Sequence, residues 1–314
     1  ITMFDLLTSG KEQVNISKEE FLEDMDVLFS ELKKSYSGYE YFKEEAFLNA
    51  KKLIQDRVNE RYIYSDAYAF TKSTLLSFIK DGHFSFGCEE IKSKKDYPYA
   101  YQRGTLFGLD YLDVKKFYYD TPEEKEQLDD FVFQAIELRN KDSFIIDLRD
   151  NRGGSDQYIY DFIELLFGVS PDYSMKVIQK YSDTFIAYLK RERLDAQFDF
   201  DGDIETYDSD GATIQNDKKI YILFNENTAS SGESALACFK TIENTILVGN
   251  HSRGCFSFGN CITIYLPHSK IPVYFGTGMV LYEKTINIDE EGGFKGDISY
   301  LDFEKHFTNL KKMI

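Results

Sequence analysis

Three short segments carry the groups that could do chemistry. Thr228-Ala229-Ser230-Ser231-Gly232-Glu233 follows a strand-like run, Lys219 to Phe224, and precedes an alanine-rich helical pattern, Ser234 to Ile242. Ser230 therefore sits where a buried strand passes into a helix, and the outward N–H groups and dipole of a helix start favour developing negative charge. A serine that attacks a carbonyl needs that setting, because the oxyanion it creates must be met by donors already in place. The same hexapeptide also reads as a capping box, Ser230 with Glu233, which requires no chemistry. The second segment, Asp147-Leu148-Arg149-Asp150-Asn151-Arg152-Gly153-Gly154, ends a buried strand in paired glycines. Glycines let a backbone approach a ligand closely and turn its N–H groups toward it; an ordinary strand-to-helix turn has the same look. The third is Asp81-Gly82-His83, where a neutral imidazole could serve as a general base near neutral pH or only cap a helix.

The elements that must position these groups fall into two textures. Residues 17 to 83 read as helical. Ser17 and Glu20 form a capping box, Ile16 and Phe21 a staple, and Phe21, Met25, Leu28 and Leu32 follow helical spacing. A second helix runs near 44 to 59, and a third opens at Ser65 and stops at Gly82, a favoured C-terminal residue. From about Tyr101 strands and helices alternate. Strands are expected over 106–114, 143–148, 219–224 and 245–249, and near 262–266 and 272–275. Helices are expected from Pro122 to about Asn140, over 155–167 and after Ser230. That alternation predicts an α/β domain. Residues 171–218 are polar and acidic and read as a solvated insertion whose Asp and Gly spacing lacks the full calcium-loop pattern.

Composition sets the bounds. With 314 residues, 42% hydrophobic and 29% charged, the chain suits one large or two modest ordered domains. A formal net charge of −17 repels polyanions and sets nucleic-acid binding aside. No run of about 18 apolar residues exists to span a membrane. Four cysteines, Cys88, Cys238, Cys255 and Cys261, are too few for a disulfide scaffold and match no zinc spacing. Cys238 falls on the apolar face of a helix and reads as core.

Taken together and in order, the Asp147–Gly154 segment, Asn227 to Glu233, Val248-Gly249, Gly254 and Gly293-Phe294-Lys295-Gly296-Asp297-Ile298 resemble the tail-specific (C-terminal processing) serine proteases and the related tricorn-core peptidases. The resemblance implies a crotonase/ClpP-like α/β core of stacked ββα units with an N-terminal helical subdomain. It implies Ser230 as nucleophile, with the N–H groups of Ser231 and of Gly153 or Gly154 as oxyanion donors. Two features depart from the processing branch. Its general-base lysine falls here on Cys255, and a thiol cannot replace a neutral amine as base. The stretch between His83 and the first core strand is also too short for a PDZ domain. The tricorn-like branch instead implies a histidine base from the helical part, His83, oriented by a late glutamate, Glu290, with Glu291 adjacent. That branch carries a serine just before its histidine, where this chain has Gly82. His251, next to the lysine-equivalent position, is the rival base.

The resulting expectation is a helical cap over 1–90 and a catalytic core over 100–314, with the active site in the cleft between them. Ser230 would be acylated by peptides or unfolded protein tails, without metal or cofactor and with oligomeric state open. Export is expected, with any leader outside this chain. The main alternative is a catalytically degenerate member that binds peptides or apolar ligands. A weaker third is an acyl-CoA enzyme of the same fold, which would need a basic cluster for phosphates.

Overall fold

The computed structural model describes residue 7, residues 14–87, 97–173, 175–192, 194, 204–209, 211–282, 288–289 and 293–312. The chain divides into two compact units. The first comprises Ile1–Lys92, Val177–Tyr207 and Ser257–Val280. Its helices are α1 (Lys18–Ser35), α2 (Gly38–Tyr41), α3 (Glu44–Glu60) and α4 (Tyr64–Phe78). Ser17 and Glu20 do close a capping box on α1: Ser17 N–H donates to Glu20 Oε2 at 2.8 Å, and Glu20 N–H to Ser17 Oγ at 3.3 Å. Phe21, Met25, Leu28 and Leu32 of α1 are fully buried, as are Phe47 and Ile54 of α3 and Leu75 of α4, so the helical periodicity marks the packed face.

The third helix ends at Phe78, four residues short of Gly82. Ile79 is extended, and residues 81–84 form a turn in which Asp81 accepts the His83 N–H on Oδ1 at 2.7 Å and the Phe84 N–H on its carbonyl at 3.1 Å. A local side-chain acceptor has competed successfully with the helix. The chain then enters β1 (Ser85–Phe86), which pairs antiparallel with β10 (Pro272–Tyr282); β10 also pairs antiparallel with β9 (Phe258–Tyr265). The polar insertion is built into this sheet: β5 (Met175–Lys180) and β6 (Ile204–Ser209) extend it in the order β1-β10-β5-β6, with α7 (Asp183–Arg191) between them in sequence. The helical segment therefore shares its unit with two later stretches of chain, a pairing across nearly 100 residues that local pattern does not reveal.

The second unit comprises Ser93–Lys176, Asp208–Phe256 and Leu281–Ile314. The single strand expected over 106–114 is a hairpin: β2 (Tyr101–Leu106) turns through Phe107 (φ 56°) and Gly108 (φ 87°) into β3 (Leu109–Val114). Two consecutive residues at positive φ match the right-handed twist of a tight hairpin, and an aromatic in the first position hid the turn. The helix α5 (Pro122–Leu138) follows, capped by Thr121, and then β4 (Ser143–Asp147), α6 (Gln157–Phe167), β7 (Lys219–Leu223), α8 (Ser231–Lys240) and β8 (Thr245–Val248). The sheet order is β2-β3-β4-β7-β8, parallel from β3 onward.

Alternation along the strands divides the core. Phe144 and Ile146 of β4 and Ile220 and Ile222 of β7 pack with Phe131 of α5, Phe162 of α6 and Phe239 of α8. Ile145, Tyr221 and Leu223 face Phe303 of α9 (Tyr300–Lys312) on the other side. Cys238 lies fully buried in the first of these layers, as its helical position predicts. Two short strands, β11 (Ile288–Asp289) and β12 (Gly293–Phe294), pair antiparallel. Among the described residues no helix is long and apolar enough to cross a membrane.

Candidate active site

The C-terminal ends of β4 and β7 deliver two turns to one place in the second unit. The β7 turn runs through Thr228 and Ala229 to Ser230, the residue before α8. Ser230 has φ 54° and ψ −127°. Residues other than glycine avoid that region, at a cost on the order of 1–3 kcal/mol, so the surroundings must impose it. Glu233, in the first turn of α8, accepts the Ser230 N–H on Oε2 at 3.2 Å. The Glu233 N–H goes to the Ser230 carbonyl at 2.7 Å.

The β4 turn packs directly against this one. The carbonyl of Asn151 accepts the Ala229 N–H at 2.9 Å, Leu148 O accepts the Thr228 hydroxyl at 2.8 Å, and Ser231 Oγ donates to Gly154 O at 2.9 Å. Asn151 is fully buried; its side chain donates to Val114 O at 3.1 Å and accepts the Gly153 N–H at 2.8 Å. Gly153 has φ 103°, and a Cβ there would stand 2.7 Å from both Ser230 Cβ and the Ser231 nitrogen. No side chain fits, so the glycine is dictated by contact with the serine turn as well as by dihedral. Gly154, φ 139°, abuts the Phe117 backbone in the same way. The structure thus brings Ser230, Ser231, Gly153 and Gly154 together.

Asparagines fasten the base of the site. Asp150, at φ 65°, donates its N–H to Asn225 Oδ1 at 2.9 Å; its Oδ1 accepts the side-chain amides of Asn225 at 3.1 Å and Asn227 at 2.8 Å. Tyr97 closes on the other carboxylate oxygen at 2.5 Å. Asp156, just before α6, is a further acidic neighbour. Its burial pushes its pKa up, and the hydroxyls of Ser231 and Ser234 oppose that rise.

Glu233 does more than cap a helix. Its side chain is completely buried. Besides the Ser230 N–H it accepts the Ser252 hydroxyl at 2.5 Å and the Gly254 N–H at 2.7 Å on Oε1, and the Cys255 N–H at 2.8 Å on Oε2. Burial raises its pKa, while these four donors pull it down. Ser252 Oγ in turn accepts the Phe294 N–H at 2.7 Å, and Gly293, φ 74°, leaves no room for a Cβ beside Ser252, Gly254 and Glu233. One carboxylate therefore joins the serine turn to the Gly254-Cys255 position and to β12. The helix-start motif named Glu233 as Ser230's partner; the other donors come from residues 19 to 22 positions later and have no local signature. Asn151, Asn225 and Asn227 were likewise not singled out, although all lie within or beside the two motifs.

Both histidines considered as the base lie among the described residues. His83 belongs to the first unit, in the turn described above. His251 is exposed, with Nδ1 2.9 Å from the Ser252 carbonyl. Glu290 and its neighbour Glu291 lie outside the described residues, as does Cys88.

A serine held at a helix start, against a glycine turn, at the ends of parallel strands is the arrangement of an α/β serine-type peptidase. The model described as Peptidase family S41 matches residues 109–298, well over half the chain, and the chain belongs to that family of serine-type peptidases. Among solved structures, mature CPAF is similar with a TM-score of 0.62 at 10% identity, over 94% of this chain and 97% of that one. A lipoprotein from Streptococcus agalactiae is similar with a TM-score of 0.54 at 13% identity, over 98% and 100%. The photosystem II D1 C-terminal processing protease gives 0.50 at 11% identity, over 91% and 93%. These likenesses show a shared mixed α/β fold. In sequence, the nisin-resistance protein of Lactococcus lactis subsp. lactis is 24% identical over 217 residues, 68% of this chain; the match spans 65% of that relative's length.

Proposed function

We propose that the chain hydrolyses peptides or protein tails through an acyl-enzyme on Ser230, with His83 as general base. The observation that carries this reading is the strained Ser230 turn set against Gly153 and the start of α8. Attack by Ser230 Oγ places the oxyanion near the first N–H groups of α8, where Ser231 N–H is one donor. Gly154 is the better second donor in this arrangement, because the Gly153 N–H already serves Asn151. His83 takes the serine proton and returns it to the leaving amine; water then releases the acyl group. Glu290 is assigned the charge facing the imidazolium, on the family resemblance. Processing-type lysine chemistry is excluded from the proposal because Cys255 occupies that position and turns its backbone N–H to Glu233.

The same reading extends to substrate and place. Peptides or unfolded protein tails are the substrates, and the protein works outside the cytoplasm; support comes from family membership and from relatives described as a lipoprotein and as a nisin-resistance protein. The test is hydrolysis of unfolded casein across pH. Activity should rise with pH through an apparent pKa between about 6 and 7.5, as an imidazole loses its proton. His83→Ala should lower kcat on the order of 10²-fold or more while His251→Ala changes little. Retained activity in His83→Ala would reject the base assignment.

A further inference from the structure

Asp81 holds a position that the proposed reaction does not yet use. Its side chain is buried in the first unit, bonded to a tyrosine that stands within an aromatic cluster. The Tyr36 ring is packed against Phe42, Phe47, Phe84, Phe258 and Phe275, with ring centroids 5.7 to 6.4 Å away, and its hydroxyl donates to Asp81 Oδ2 at 2.9 Å. Gly38 makes the room: a Cβ there would lie 2.5 Å from the Tyr36 oxygen. The other carboxylate oxygen, Oδ1, accepts the His83 N–H at 2.7 Å and lies 4.0 Å from His83 Nδ1.

A carboxylate placed among aromatics is costly unless its lone pairs are met. Glu233 in the second unit meets four donors, whereas two hydrogen bonds are made to Asp81. Burial pushes its pKa up to about 7, against the lowering effect of the His83 N–H and Tyr36. Titratable groups around it are Tyr36 on α1, itself raised by burial and by Asp81, His83 in the same turn and, facing Tyr36 from β9, Cys261. A hydrogen bond to the His83 N–H alone would need only a turn residue. The second geometric fact is the nearness of Oδ1 to Nδ1. At 4.0 Å the two atoms are beyond hydrogen-bond range, but negative charge on that side still favours the tautomer with its proton on Nδ1, which leaves Nε2 to take a proton.

The geometry points to Asp81 as a positioning residue for the base, with Tyr36 behind it: it fixes the turn that carries His83 and, when ionised, favours the tautomer in which Nε2 accepts and faces the imidazolium with negative charge. This rests on the reading of His83 as base and adds a second carboxylate to the one assigned to Glu290.

The experiment is a ¹H–¹⁵N titration of the histidine side chains in the full chain, with ¹⁵N-labelled histidine and His83 assigned by its absence in His83→Ala. Asp81→Asn should lower the His83 pKa by about one unit, since an opposite charge within about 4 to 6 Å favours the charged form, and should shift its neutral form away from the Nδ1–H tautomer. In casein assays kcat should fall about tenfold or more with KM within about twofold. Tyr36→Phe should change the His83 pKa in the same direction by less, and it serves alone if Asp81→Asn fails to fold. Glu290→Gln, by contrast, should leave the Nδ1–H tautomer populated. An unchanged His83 pKa and tautomer in the folded Asp81→Asn or Tyr36→Phe variant would overturn the proposal. The spectra read the Asp81–His83 coupling without reference to turnover. A His83→Ala enzyme with full activity would therefore reject the base assignment while the titration still decides this one.

Discussion

Each unit buries a carboxylate beside a residue proposed for catalysis; burial raises the pKa of both, but their lone pairs are met in different ways. Glu233 is wrapped in donors from Ser230, Ser252, Gly254 and Cys255. Asp81 has the Tyr36 hydroxyl and the His83 N–H in an aromatic setting, and its pKa rises to about 7. A buried carboxylate surrounded by backbone donors is a structural tie: moving its charge would strand several N–H groups. One left with few donors stays titratable near neutrality and can respond to a neighbouring imidazole. On the proposed assignment, the serine side of the chemistry rests on backbone donors and the histidine side on side chains.

The comparison breaks most severely at Glu233. Glu233→Ala strands the Gly254, Cys255 and Ser230 N–H groups, each buried unsatisfied donor costing roughly 1–3 kcal/mol. A large drop in melting temperature is expected. The serine turn should also loosen, with a loss in kcat on the order of 10²-fold, the scale of a 1 Å misplacement. Glu233→Gln keeps the shape and one acceptor oxygen and should fall between. Calorimetry with casein hydrolysis checks both; a stable, fully active Glu233→Ala would show that the carboxylate ties nothing.

Removing the charge of Asp81, which is met by two donors, should instead stabilise the protein. Its folded pKa lies above the ordinary carboxylate value, so the folded state holds the proton more tightly than the unfolded one. Ionising Asp81 therefore costs stability, progressively as pH rises from about 4 to about 7. Asp81→Asn removes that cost. Its melting temperature relative to the native protein should climb across the same interval, by the equivalent of roughly 2–4 kcal/mol at about 1.4 kcal/mol per pKa unit, even as activity falls. Melting curves at pH 4.5, 6 and 7.5 measure this, and a difference flat with pH would remove the contrast with Glu233.

The smallest effect is expected at Cys255. Its backbone, through Glu233, is what the site uses, so Cys255→Ser should retain activity within about threefold under reducing conditions, far from the roughly 10²–10⁴-fold that a general base supplies. A loss of 10²-fold would return the position to the proton-transfer chemistry that a lysine performs in the processing branch.

Much of the serine side was legible in the chain. A β-branched, aromatic run into Thr228–Glu233 fixes both the strand and the helix start, and Gly153-Gly154 marks a second turn, because each signal is local. What escaped was non-local or disguised. Phe107 hides a hairpin turn behind an apolar side chain. β5 and β6 read as a solvated insertion because β5 pairs with β10, far along the chain, and β6 joins the sheet only through β5. Asp81 was visible in Asp-Gly-His, but its tie to Tyr36 crosses 45 positions, and Glu233's donors at Ser252 to Cys255 cross about 20. Short motifs thus marked the turns proposed to carry the chemistry, while the groups that hold those turns came from packing.

The central claim is that Ser230, on its strained turn, is the nucleophile. The direct measurement is labelling of the native protein with a serine-directed fluorophosphonate, with the adduct mapped by mass spectrometry and repeated in Ser230→Ala and Ser231→Ala. A single adduct on Ser230 is expected, lost in Ser230→Ala and kept in Ser231→Ala, because only the backbone N–H of Ser231 is used. An adduct on Ser231, or labelling that survives Ser230→Ala, would contradict it.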